Sequence, residues 1–260
     1  MDKKIDASSF YFTVMDRTSN ISRIRTSLLR AMKDKAFEVD VNLTLARILA
    51  AGRKYKQAEF RYKKASIMTP LLAAVYHEWA FLLEKQGNLE GQEELFRKMI
   101  EINPNSQEGI CSLGAVLADA CKFSEAIVVL EQAIEIMPDD ALSLSNLGSI
   151  YVQLGRYDKA IEKIEKALEA EGDCLFAHIN MCVLKNCMGR GDEAKEHEKK
   201  ALELIGNDFY LKEGILRSSN RILNLAKENV LGEGDDEEKR SHHERLSKTL
   251  EKLIPLLEEE

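Results

Sequence analysis

Small and large apolar residues return along residues 39–208 at a fixed interval of 34 positions. In the blocks 39–72, 73–106, 107–140, 141–174 and 175–208, the eighth place holds Ala46, Ala80, Gly114, Gly148 and Cys182. The twentieth place holds Ala58, Gln92, Ala126, Ala160 and Ala194, and the twenty-seventh Ala65, Met99, Ala133, Ala167 and Ala201. Bulkier apolar side chains fill the space around them. Leu45, Trp79, Leu113, Leu147 and Met181 stand at the seventh place, and Leu49, Leu83, Leu117 and Tyr151 at the eleventh. Small residues set among large ones at helical spacing predict two helices per block, packed closely against each other.

The breaks recur in the same phase. Pro70, Pro104 and Pro138 share one place, filled by Gly172 and Gly206 in the last two blocks. Proline disfavours the helical conformation of the residue before it, and glycine accepts the left-handed backbone that ends a helix. Gly87, Gly155 and Gly189 share the fifteenth place, where the chain must reverse between the two helices. Gly52 stands one place early, and Cys121 departs from the pattern.

A 34-residue helix–turn–helix unit of this kind resembles the tetratricopeptide repeat family. The fourth block carries the resemblance best, with Leu144, Leu147, Gly148, Tyr151, Gly155, Tyr157, Ala160 and Ala167 in "NLGSIYVQLGRYDKAIEKIEKALE". The resemblance implies an all-α fold, a tetratricopeptide-repeat right-handed superhelix (an α-solenoid) with five tandem repeats over 39–208. Residues 1–38 read as a degenerate N-terminal repeat, with Tyr11, Phe12 and Met15 in first-helix slots and Ile24 where alanine belongs. Leu211, Ile215, Ile222, Ala226 and Val230 stripe a helix within 209–231, expected to cover the open end of the stack. In 232–260, "GEGDDEEKR" reads as a flexible acidic linker, followed by a short helix over 241–260 broken near Pro255.

Composition narrows the setting. Of 260 residues, 45% are apolar and 31% charged, and no run approaches the ~20 apolar residues of a membrane-spanning helix. The N-terminal patch of Phe10, Tyr11, Phe12, Val14 and Met15 is too short for a secretory signal core. Five cysteines without a CxxC pair suit small core residues in a reducing compartment, so a cytoplasmic protein is expected. Charge is uneven: residues 1–70 hold 15 Lys/Arg against 7 Asp/Glu, while the whole chain carries −7. Six basic residues between Arg17 and Lys35 offer phosphate contacts, but no aromatic platform accompanies them and the chain is acidic, so nucleic acid is not the indicated partner.

No catalytic arrangement rises from the pattern. His77, His178, His197, His242 and His243 form no HExxH motif and no recognisable triad. His178 falls on the core face of its helix, and the adjacent His242 and His243 point in different directions, which rules out chelation as an i, i+4 pair. The expectation is a protein that is not an enzyme, with no cofactor and no metal.

Function is therefore expected on a surface. The resemblance implies a concave groove lined by the first helix of each repeat. On that frame the partner-binding residues are Leu43, Arg47, Ala50, His77, Phe81, Glu84, Cys111, Ala115, Ala118, Ser145, Ser149, Val152, Ile179 and Val183. Members of the family that clamp acidic chaperone tails place lysines, asparagines and an arginine there. Here Leu43, His77, Cys111 and Ser145 stand at the lysine place, leaving only Asn146 and Asn180 of that set. A weakly charged floor suits an amphipathic helix or an extended apolar segment of a partner protein. The alternatives are a self-assembling scaffold whose N-terminal segment docks into the groove of another copy, or the regulatory subunit of a separate enzyme.

Overall fold

The computed structural model describes residues 38–206, 208–228, 231 and 236–258. The degenerate repeat expected over 1–38, and the docking role considered for it, lie outside the described residues apart from Glu38. Twelve helices and no strand occur among the described residues. They divide into two compact units, Met1–Pro104 and Asn105–Glu260.

The first unit contains α1 (Glu38–Ala51), α2 (Tyr55–Met68), α3 (Ala73–Glu84) and α4 (Leu89–Ile102). Successive helices pack on one another around Leu43, Ala46, Ala58, Tyr62, Ala65, Val75 and Leu82. The second contains α5 (Gln107–Asp119), α6 (Phe123–Ile136), α7 (Ala141–Gln153), α8 (Tyr157–Ala170), α9 (Leu175–Cys187) and α10 (Gly191–Ile205). It ends with α11 (Phe209–Lys227) and α12 (Asp236–Glu258). Each 34-residue block thus holds one helix pair, and α5, α7 and α9 form a row of first helices.

The small residues do the work their spacing predicts. Ala126, Ala160 and Ala167 are fully buried, with the large fully buried side chains Leu130 and Ile164 nearby. A methyl group placed on Gly148 would come within 2.5 Å of Ile164, and one on Gly114 within 2.5 Å of Leu130. Only glycine permits that approach.

Helix ends follow local rules. Asn88, Ser106, Asp140 and Asp208 each accept a hydrogen bond at their side chain from the backbone N–H three residues on, which satisfies an orphan donor of the first turn. At the stops, Thr69, Asn103 and Met137 before the prolines take φ of −134°, −137° and −133°. Glu171 before Gly172 takes −141°, so the stop there uses the same extended residue and no left-handed glycine. Gly206 does turn left-handed, with φ 52°. At the fifteenth place all five blocks are left-handed: Gly87, Gly155 and Gly189, but also Arg53 at 56° and Cys121 at 58°.

The C-terminus departs from the sequence expectation. Residues 236–240, expected in a linker, open α12, which then runs through Pro255 to Glu258. Glu237 and Glu238, in the first turn of this helix, carry charges that suit its positive end. Pro255 lies in the last turn, where few further backbone bonds remain to be lost. The helix lying along α9 is α12, whereas α11 packs on α12. In α11 it is Ile215, Leu223 and Ala226 that are buried.

Candidate protein-docking face

In the first unit, the expected docking residues fall on α1 and α3. Leu43 is buried in the core, and Ala50 and Glu84 are half-buried. Arg47 grips both carboxylate oxygens of Glu78 through two of its guanidinium nitrogens, Nε (donating at 2.8 Å) and Nη2, and Tyr62 donates to the same carboxylate at 3.4 Å. His77 meets Phe81 edge-on, with ring centroids 4.7 Å apart, and Phe81 remains 50% exposed. Phe81 thus leaves an aromatic ring open to solvent.

In the second unit, two of the fifth-place residues, Cys111 and Ser145, are consumed by packing between first helices. Asn146 on α7 donates to the Cys111 sulfur at 3.4 Å, and Asn180 on α9 donates to the Ser145 carbonyl and hydroxyl at 3.0 Å each. Cys111 and Ser145 are buried there and do not line an open floor. The sixth-place asparagines, which the tail-clamping pattern would offer to a ligand, are committed to these contacts. Ala118 and Val152 are buried, while Ala115 and Ser149 are half-buried.

The remaining part of this face is covered by the chain's own C-terminal helices. Along α9, Ile179, Val183 and Cys187 form a stripe at four-residue spacing. Cys187 donates weakly to the Thr249 hydroxyl of α12 at 3.7 Å, and Ile179 and Val183 share an apolar cleft with Leu250, Leu253 and Leu257. Further back, His242 of α12 bonds the Gln153 carbonyl at the end of α7 through Nε2 at 2.9 Å. Its Nδ1 lies 2.9 Å from the Tyr157 hydroxyl at the start of α8. With Nε2–H donating to the carbonyl, the ring accepts from Tyr157. Two repeats back, Arg221 of α11 bonds both the backbone carbonyl and the carboxylate of Asp119, where α5 ends. The α11–α12 pair therefore reaches across the row from α9 to α5.

Burial holds three cysteine thiols and one tyrosine hydroxyl in their neutral forms. Burial pushes the Cys111 and Cys187 thiols up to about 11 and the Cys182 thiol up to about 12, which leaves little thiolate for nucleophilic chemistry. Burial likewise pushes the Tyr157 hydroxyl up to about 12. His178 bonds the Gly172 carbonyl at 2.9 Å and His197 at 3.0 Å, a packed pair with no third ligand type among the described residues. No described helix is long and apolar enough to cross a membrane.

Residues 110–170 match the Tetratricopeptide repeat family model. This is the tetratricopeptide-repeat fold. TTC0263, a thermophilic TPR protein from Thermus thermophilus, shares it at 24% identity and a TM-score of 0.55, covering 71% of this chain and 99% of that one. MamA is similar at 23% identity and a TM-score of 0.52, covering 65% of this chain and 93% of that one. MamA residues 41 to the end from Desulfovibrio magneticus RS-1 align at 20% identity and 0.52, over 64% and 94%. No curated protein matches the chain. Within the tetratricopeptide-repeat frame, the residues that sequence reasoning missed as part of the face are Tyr157, Arg221, His242, Thr249 and Leu250. The leucine spacing at Leu246, Leu250, Leu253 and Leu257 was a usable signal for a buried helix, but it names no surface to bury it on.

Proposed function

We propose that the protein is a non-enzymatic adaptor or scaffold whose first helices hold an amphipathic helix, or an extended apolar segment, of a partner protein. One observation carries this reading: the inner residues of α9 already accommodate a helix, α12, through apolar contacts and the Cys187–Thr249 contact, and His242 of the same helix reaches the end of α7. A surface shaped for one leucine-striped helix suits others of the same pattern. The committed asparagines and the absence of lysines at the fifth place argue against acidic chaperone tails. Four buried free cysteines favour a reducing, cytoplasmic setting.

A photo-activatable cross-linker placed at half-buried Ser149 tests the reading in the native host. Adducts mapped by mass spectrometry are expected on leucine-striped helical segments of other proteins. A chaperone-type acidic tail peptide is expected to bind no tighter than about 1 mM, and micromolar affinity for it would contradict the reading. The self-assembling alternative rests on the basic, apolar N-terminal sequence. It calls for oligomers that weaken as salt rises past ~0.15 M, which light scattering reads directly.

A further inference from the structure

Helix α12 covers the docking face without matching it. Its apolar side is buried at Leu246, Leu250 and Ile254. Yet the amide oxygen of Gln153, on a side chain only 5% exposed, finds no hydrogen-bond partner among the described residues, although His242 bonds the backbone carbonyl of the same residue. A buried acceptor left unpaired carries its full desolvation cost. An apolar cleft of about 50 Å³ persists where Ile179, Val183 and Ile215 face Leu250, Leu253 and Leu257. Pro255, in the stretch that lines this cleft, removes one backbone donor, so the Glu251 carbonyl loses its intrahelical bond. A tethered segment tolerates such mismatches because its effective concentration is on the order of millimolar; a free ligand would have to fit better.

We infer that the α11–α12 pair is a built-in occupant of the docking face. The partner that displaces it is an amphipathic helix carrying the same leucine stripe and a hydrogen-bond donor opposite Gln153. This inference rests on the docking function proposed above. The stripe sets the partner's apolar spacing, the cleft asks for bulkier or better-placed apolar side chains than α12 supplies, and Gln153 selects a polar group at one position. The tether sets a threshold: only a helix that outcompetes α12 engages the face.

The test uses the full chain and a fluorescent peptide of residues 236–258 as the probe. Leu250→Asp in the chain removes the central leucine of the resident helix while leaving every inner-face residue intact. Hydrogen exchange is expected to show α12 losing protection in this variant while α5–α8 keep theirs. Anisotropy is expected to show the probe binding it roughly tenfold or more tightly than the unaltered chain. Arg221→Ala, which cuts only the α11 anchor to Asp119, is the milder companion should Leu250→Asp fail to fold, and shifts affinity in the same direction. An α12 that stays protected in both variants overturns the inference. So does a released α12 with unchanged probe affinity, which leaves the docking function itself standing. A probe that binds neither form even at millimolar concentration likewise overturns the inference, whereas the docking function itself is decided by the cross-linking at Ser149. Released chains that pair with one another by exchanging α12 make the occupant a second copy and overturn the proposed partner.

Discussion

The fifteenth place of the repeat shows how one residue type can be required and still be absent. All five occupants are left-handed, but Arg53 and Cys121 hold that backbone with a side chain, at a strain of roughly 1–2 kcal/mol. Cys121→Gly and Arg53→Gly are each expected to raise stability by up to about 1 kcal/mol in chemical denaturation, the relief of strain being partly offset by the greater freedom of glycine in the unfolded chain. Gly148→Ala should do the opposite, because its methyl group meets the Ile164 side chain at 2.5 Å, and overpacking of that kind costs roughly 1–3 kcal/mol. At His242, burial lowers the affinity of the ring for a proton, and the neighbouring His243 and Arg245 act in the same direction while the bond to Gln153 opposes them. Tyr157 faces the ring from α8 with its hydroxyl held neutral, and Cys187 lies near Tyr157 as a neutral thiol. The undocked ring takes up a proton in the ordinary range near 6.5, whereas the docked ring does so only at lower pH. Docking of α12 is therefore independent of pH above that range and weakens as pH falls through it. Hydrogen exchange of α12, corrected for intrinsic rates, should show this between pH 7.5 and 5.5, and His242→Gln should abolish the dependence.

At the scale of elements, the register of small residues was legible in full. The eighth, twentieth and twenty-seventh places report a contact between two helices adjacent in sequence, so their spacing carries the geometry. Ala160→Leu is expected to cost roughly 1–3 kcal/mol by overpacking the α7–α8 contact. Glu162→Leu on the exposed side of α8, where Glu162 pairs with Lys163 and Lys166, should shift stability by only about 0.5 kcal/mol. Equal melting shifts would contradict the assigned register. The C-terminal helices were less legible for a physical reason. The stripe of Leu246, Leu250, Leu253 and Leu257 says that one face of α12 is buried, but not whether it meets α10, α11 or α9. The acidic opening of α12 reads as linker by composition, although the same charges favour a helix start. The inner face was legible only in part. Its places were assigned on the repeat frame, but Cys111 and Ser145 turned out to serve contacts between neighbouring first helices.

At the scale of the molecule, each unit offers a first-helix face in a different state. In the first unit Phe81 stands open, while in the second the α11–α12 pair spans the row from α9 to α5. On the proposed function, the covered face is the docking surface and α12 must leave for a partner to bind. Thr249 offers a direct way to hold it in place, since its hydroxyl lies 3.7 Å from the Cys187 sulfur, a separation that a disulfide can close. The deciding measurement is the affinity of the 236–258 peptide for full-length Thr249→Cys, oxidised and then reduced, with the cross-link verified by mass. Binding that is lost on oxidation and restored on reduction is the predicted result. Equal affinity in the two states would contradict the claim.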